Sequence, residues 1–285
     1  MIQNIIAKIP KRKPDSHKGD YGHVFVIAGS IGMTGAAYLT SQAAMLSGSG
    51  LVTLGAAKSI NEIMEVKLTE VMTLSLMDTK DGSLSLFSEK DILDFSKSVD
   101  VVVIGPGLSK NRETQHLARN LIRKIEKPLV IDADGINAMA GHREVIKYRR
   151  YKTVITPHPG EMAKLINRDI EYINQHRERI AKTVSRAYNC ITVLKGYKTV
   201  VTSSLRELYI NDTGNAGMST AGAGDVLTGM VASFIGQGID LFSSAVLAVY
   251  LHGKAGDLAA REYGQSSLIA SNILDKIPIV LKDIV

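Results

Sequence analysis

The segment Asn215-Ala216-Gly217-Met218-Ser219-Thr220-Ala221-Gly222-Ala223-Gly224-Asp225 carries the strongest chemical signal in the chain. Apolar residues at positions 226, 227, 230, 231, 234 and 235 follow it at helical spacing, and Gly236 and Gly238 end that run. A glycine-rich turn that opens a helix presents free N–H groups at the positive end of the helix dipole, here around Gly222, Ala223 and Gly224. That is an anion hole, suited to phosphate oxygens and to the charge that builds during phosphoryl transfer. Asp225 stands beside it, where a carboxylate can take a proton from an attacking hydroxyl; the alternative is a first-turn Asp that serves only the dipole. No Gly-Lys-Ser/Thr closes the turn, so it is not a P-loop.

Three further loops offer polar groups. Thr156-Pro157-His158-Pro159-Gly160-Glu161 follows a strand-like run and precedes the helical Met162-Ala163-Lys164-Leu165-Ile166. Two prolines fix this loop, so the His158 ring is held where it can donate to or stack on a ligand, unless it is a structural or merely exposed histidine. Glu161 either joins that site or is a first-turn carboxylate. Lys195-Gly196-Tyr197-Lys198-Thr199 forms a turn between two short strands. Gly196 permits backbone approach, and Lys195 and Thr199 can meet a nucleotide phosphate or ribose, although a plain hairpin turn uses the same residues. Val130-Ile131-Asp132-Ala133-Asp134 sets two carboxylates after a strand, to organise the loop, cap the next helix or reach a magnesium-bound phosphate through water. Capping is the preferred reading of the three.

Other polar features carry less. Lys11-Arg12-Lys13 and Lys147-Tyr148-Arg149-Arg150-Tyr151-Lys152 belong to no nucleic-acid module and read as solvated surface. The histidines show no metal-ligand spacing, so no protein-bound zinc is expected. With 34 Lys+Arg against 28 Asp+Glu, the net charge of +6 favours small acidic ligands without implying nucleic acid. The lone Cys190 lies in an apolar run, has no partner for a disulfide, and indicates a reducing compartment. No apolar run approaches the roughly 18 residues of a membrane span, and the N-terminus lacks the charge order of a secretory signal. A cytoplasmic protein without membrane partners is expected.

These loops need a frame that brings them together. Val24–Ile27, Val101–Ile104, Leu129–Ile131 and Thr153–Ile155 are short β-branched runs, apolar on both faces, at intervals too long for hairpins. Helical patterns lie among them at Ala36–Ser47, Thr114–Ile125 and Ile173–Tyr188. This alternation predicts an α/β layered fold with a mostly parallel central sheet and helices on both faces. Strands at Cys190–Leu194, Lys198–Thr202 and Glu207–Ile210 follow at close spacing and predict a β-meander near the C-terminal third. Three helices complete the chain, one opening near Gly222, one over about Leu241–Ala260 and one near Leu268–Lys282. Glycines gather at 29, 32 and 35 and at 105 and 107, directly after two of the strands, so both clusters should line one crevice at the carboxyl ends. With 285 residues and no linker or repeat, residues 1–285 read as a single domain.

Taken in order, Gly29-Ser30-Ile31-Gly32-Met33-Thr34-Gly35-Ala36, Gly105-Pro106-Gly107-Leu108, Asp132-Ala133-Asp134, the His158-Pro159-Gly160-Glu161 loop, Lys195-Gly196 and Asn215 to Asp225 resemble the ADP/ATP-dependent NAD(P)H-hydrate dehydratases. These belong to the ribokinase-like superfamily, and the resemblance covers roughly residues 18 to 280. It implies a three-layer ribokinase-like fold and repair of reduced nicotinamide cofactor whose ring has taken up water across C5–C6 (NADHX and NADPHX). Ala36, Gly107, His158 and Asp225 then look like hydrate-binding residues, with Asp225 the catalytic base. Lys195, Gly196, Tyr197, Lys198 and Thr199 with Gly224 look like the adenine-nucleotide site.

The resemblance further implies ADP (or ATP) as co-substrate with Mg2+, release of AMP and phosphate, and a homo-oligomer, a tetramer in the family. Only the S epimer would be handled, with a separate epimerase supplying it. Met33 departs from the pattern, an aromatic residue being expected there. Two other readings stay open: a ribokinase-like kinase of a small vitamin-precursor alcohol, which would leave a stable phosphorylated product, and a catalytically idle nucleotide-binding regulatory protein.

Overall fold

The computed structural model describes residues 1–205 and 207–284. From the N-terminus run α1 (Ile2–Ile6), β1 (His23–Ile27), α2 (Thr34–Leu46), β2 (Leu51–Ala57), α3 (Lys58–Lys67), β3 (Met72–Leu76), α4 (Glu89–Ser96) and β4 (Val101–Ile104). Then come α5 (Arg112–Lys124), β5 (Leu129–Ile131), α6 (Ala133–Met139), α7 (Glu144–Lys147), β6 (Thr153–Ile155), α8 (Pro159–Ile166), α9 (Ile170–Gln175) and α10 (Arg177–Tyr188). The last part holds β7 (Ile191–Leu194), β8 (Val200–Thr202), β9 (Leu208–Ile210), α11 (Ala223–Gly236), α12 (Leu241–Tyr263) and α13 (Ala270–Lys282).

Nine strands form one sheet in the order β3-β2-β1-β4-β5-β6-β7-β8-β9, parallel through β7 and antiparallel at β8 and β9. The four β-branched runs are its interior strands, and every residue of β4, β5 and β6 is buried. Burial on both faces requires cover on both faces. The helices accordingly fall into two contacting sets: α2, α3, α11, α12 and α13 in one, and α4 to α10 in the other. The meander expected in the C-terminal third is the β7–β8–β9 edge.

From β1 the chain winds one way through β2 and β3, then returns to β4 and winds the other way. The sheet therefore reverses direction between β1 and β4, which is where open α/β sheets leave a ligand crevice beyond their strand ends.

Two strands and one break were not anticipated. β2 ends in Gly55-Ala56-Ala57, poor strand formers that succeed because the site is buried; a Cβ on Gly55 would come within 2.9 Å of the Phe25 ring. β3 is the exposed edge, where Met72 and Ser75 face solvent. The run expected as one helix over Ile173–Tyr188 is split at His176, whose φ of −129° and ψ of 31° stop α9 and start α10. The break lets Arg177 donate to the carbonyls of Leu194 (2.8 Å) and Lys195 (3.2 Å), a tertiary gain no local pattern encodes. Among the described residues, no helix is long and apolar enough to cross a membrane.

Candidate active site

The loops after β1 and β4 meet as the glycine clusters require. Gly29 donates its amide to Pro106 O (2.9 Å), and Ser30 Oγ donates to Gly107 O (2.8 Å) from a buried position. Ala36, in the first turn of α2, closes on the same place: a Cβ on Gly107 would lie 3.1 Å from the Ala36 Cβ and 2.9 Å from that of Met33. The Met33 and Ile31 side chains are exposed beside it.

Opposite, α11 begins at Gly222, whose φ of +89° is left-handed. A side chain there would be strained and would strike Leu39 Cδ1 at 2.5 Å, so glycine is what lets the turn enter the helix. Of the expected anion hole, the Ala223 amide turns back to the Thr220 carbonyl at 3.4 Å. The Gly224 and Asp225 amides, lying in the first turn, have no intrahelical acceptor and remain the donors at this helix end.

A charged cluster lies between the two sides. Lys195 Nζ is 2.6 Å from Asp132 Oδ1 and 3.9 Å from Glu161 Oε2, and it sits 3.1 Å from where a Cβ on Gly224 would be. Thr228 Oγ1, one turn along α11, donates to the other Asp132 oxygen at 2.7 Å. The expectation that Asp132 caps α6 is thereby corrected. It occupies the N-cap position with extended backbone, but its carboxylate makes no cap bond, because a buried ammonium and a hydroxyl hold it more strongly. Asp134 organises the loop instead, accepting from Ser109 N (2.9 Å) and Asn137 Nδ2 (3.1 Å).

His158 and Glu161 cap α8 reciprocally. His158 Nδ1 accepts from the amides of Gly160 (3.0 Å) and Glu161 (3.4 Å), while Glu161 Oε2 accepts the His158 amide at 2.8 Å. With Nδ1 committed as an acceptor, the neutral ring carries its proton on Nε2, 3.3 Å from Glu161 Oε1. Burial, with help from Lys195, lowers the His158 pKa and favours that neutral form. The ring thus accepts two backbone amides at Nδ1 and sets its Nε2–H beside the Glu161 carboxyl.

The electrostatics separate the carboxylates. Burial pushes Asp225 up to about 7, and the charges of Asp132 and Asp134 add to it while Lys195 opposes. Burial likewise pushes Glu161 up to about 7 against the pull of Lys195. For Lys195 burial acts downward, yet Asp132, Glu161 and Asp225 together outweigh it and keep the ammonium charged. Asp225 is therefore a carboxyl poised between acid and base at neutral pH, beside a helix N-terminus.

The Lys195–Thr199 turn divides. Lys195 points into the cluster, whereas Tyr197 is 87% exposed, with Lys198 Nζ 5.6 Å from the centre of its ring. Thr199 Oγ1 donates back to Gly196 O at 2.9 Å. Of these five residues, the contacts place only the Lys195 side chain at the helix end. Sequence reasoning missed Thr228, although its three-residue step from Asp225 puts it on the same helical face. Among the described residues, no three His, Cys, Asp or Glu side chains converge on a metal position.

A mostly parallel nine-stranded sheet, two helical layers and a glycine-opened helix facing the crevice define the ribokinase-like fold. The family profile of NAD(P)H-hydrate dehydratase matches residues 24–279, and the chain belongs to that family. It is 35% identical over 267 residues to the ADP-dependent (S)-NAD(P)H-hydrate dehydratase of Neisseria meningitidis, covering 92% of this chain and 86% of that one. It is 42% identical over 278 residues to the bifunctional NAD(P)H-hydrate repair enzyme Nnr of Moorella thermoacetica, covering 98% of this chain and 52% of that one. The chain thus spans about half the length of the bifunctional relatives it matches. Its fold superposes with a TM-score of 0.86 and 27% identity on the ADP/ATP-dependent NAD(P)H-hydrate dehydratase of Bacillus subtilis co-crystallised with ATP and Mg2+, covering 100% of this chain and 98% of that one.

Proposed function

We propose that this chain is an ADP-dependent (S)-NAD(P)H-hydrate dehydratase that returns NADHX and NADPHX to NADH and NADPH, releasing AMP and phosphate. One observation carries the mechanism: Asp225, pushed up to about 7, stands in the first turn of α11 next to its helix-end amides and to Lys195. Hydroxide is a poor leaving group, so the ring hydroxyl is first made into a phosphate ester. Asp225 takes the hydroxyl proton as the oxygen attacks the terminal phosphoryl group of ADP, and AMP departs. The Gly224 and Asp225 amides, at the Gly222–Gly224 turn, hold the transferring group. The C6–O bond then breaks with its electron pair leaving on phosphate, the ring nitrogen's lone pair forms C=N, and loss of a C5 proton restores the C5=C6 bond.

In this reading Ala36, Gly107 and His158 hold the hydrate, with the close Ala36–Gly107 approach forming a wall and His158 Nε2–H a donor. Lys195 meets nucleotide phosphate, and Gly196, Tyr197, Lys198 and Thr199 with Gly224 border the nucleotide. Mg2+ would fit the charge of the site: Asp132, Glu161 and Asp225 all act on a single ammonium, and Asp134 adds its charge to Glu161 and Asp225. Asp132, Asp134 and Glu161 are the residues that would hold the ion together with the nucleotide, and it would neutralise phosphoryl charge.

Residues 1–285 act as one catalytic unit in this reading, supported by a single sheet that runs from β3 to β9. Homo-oligomerisation and supply of the S epimer by a separate epimerase complete the proposal. A reducing, cytoplasmic setting suits Cys190, whose thiol burial pushes up to about 12.

The test is incubation with ADP, Mg2+ and (S)-NADHX. Return of NADH absorbance with stoichiometric phosphate is the expected result. A stable phosphorylated small molecule would instead indicate a kinase, and nucleotide binding without turnover an idle binding protein.

A further inference from the structure

We propose that one face of α12, carrying Gly253, Gly256 and Asp257, is a positioning device that sets the glycine-rich turn for phosphoryl transfer from behind. Four hydrogen bonds between the loop and α12, and one within the loop, carry this. Asp257 Oδ2 accepts the Gly214 amide at 3.0 Å, and Asp257 Oδ1 accepts Asn215 Nδ2 at 3.0 Å. Asn215 Nδ2 also donates to Gly256 O (3.0 Å), while its own Oδ1 accepts the Gly217 amide at 3.0 Å. Thr213 Oγ1 donates to Tyr250 O at 2.9 Å. The loop that leads into the anion hole is thus bracketed to a rigid helix at residues 213, 214 and 215.

The helix surface is shaped to receive the loop. A Cβ on Gly253 would lie 2.1 Å from Thr213 Oγ1, and one on Gly256 would lie 2.3 Å from Met218 Sδ. Both glycines are buried, and neither sits in a left-handed conformation, so close approach is what requires them.

Asp257 touches no reacting atom in this scheme; it acts through Gly214 and Asn215.

The inference rests on the dehydratase reading and assigns the residues that keep its anion hole in register. Its test uses the full chain as Asp257→Ala and Asp257→Asn, with the unsubstituted protein assayed in parallel against (S)-NADHX, ADP and Mg2+. Asp257→Ala should lower kcat about tenfold or more while changing KM for the hydrate by less than about threefold, since a displaced donor costs the transition state more than ground-state binding. Asp257→Asn, which keeps one acceptor oxygen, should recover part of that loss. Deuterium exchange should quicken in peptides spanning 213–225 and stay unchanged in β4. Unchanged kcat in Asp257→Ala, or a fall accompanied by faster exchange throughout the chain, overturns the positioning role. Absence of turnover by the unsubstituted protein overturns the dehydratase reading first and this inference with it.

Discussion

Asp132 and Asp225 both act on one ammonium, and their fates differ. Asp132, at the end of β5, is 1% exposed and fully engaged, with Lys195 on one oxygen and Thr228 on the other. Asp225, in the first turn of α11, has its pKa set by burial and neighbouring charges, and is pushed up to about 7. The same lysine that locks one carboxylate leaves the other underneutralised. One lysine can thus lock one carboxylate in an ion pair while burial holds a second carboxyl up near neutrality.

Removing the base should break this contrast most. Asp225→Asn should lower ADP-dependent turnover on the order of a hundredfold or more while leaving ADP binding intact. Near-normal turnover, measured as recovery of NADH absorbance, would show that the poised carboxyl is not the base.

Removing the lock should act first on stability. Lys195→Met leaves the Asp132 carboxylate buried without its counter-ion, at a cost of about 3–5 kcal/mol in denaturant unfolding. Thr228→Val, close in shape, removes only a hydroxyl donor to the same charge and should cost about 1.5–3 kcal/mol. A Thr228→Val cost equal to that of Lys195→Met would mean that the ion pair does not dominate.

The pH profile sharpens the other half. With its pKa raised to about 7, Asp225 is mostly ionised above that value and mostly protonated below it, so kcat/KM should fall as pH drops through 7. About a tenth of the carboxyl remains ionised at pH 6. A profile flat from pH 8 to 5 would contradict a raised Asp225, since an ordinary aspartate would stay ionised to about pH 4.

The smallest effect belongs to the exposed turn. Tyr197→Ala should change the ADP dissociation constant by less than about threefold, because an exposed ring on a hairpin tip contributes little. A larger loss would move the nucleotide onto the Tyr197 ring.

Much of the frame was legible because a parallel strand buried on both faces needs an unbroken β-branched run, and Val101–Ile104 has no other use. β2 and β3 were not, since Gly55-Ala56-Ala57 and an alternating edge lack that signature. The glycine-opened helix was readable to its first residue because Gly222, Gly224 and Asp225 act locally. Asp132 was misread for the complementary reason. An Asp after a strand and before a helix satisfies every local rule for a cap, and the Lys195 that claims it lies 63 residues away. His158 shows the mixed case, its cap being local and its neighbouring Lys195 not.

The central claim is that the ring hydroxyl becomes a phosphate ester before it leaves. The direct test is to label that hydroxyl with heavy oxygen and analyse both products by mass spectrometry after ADP-dependent turnover. Label recovered in inorganic phosphate is the predicted result, since the C6–O bond breaks only after the oxygen has joined phosphorus. Label recovered in water would contradict the account, because the hydroxyl would then have left without ever being phosphorylated.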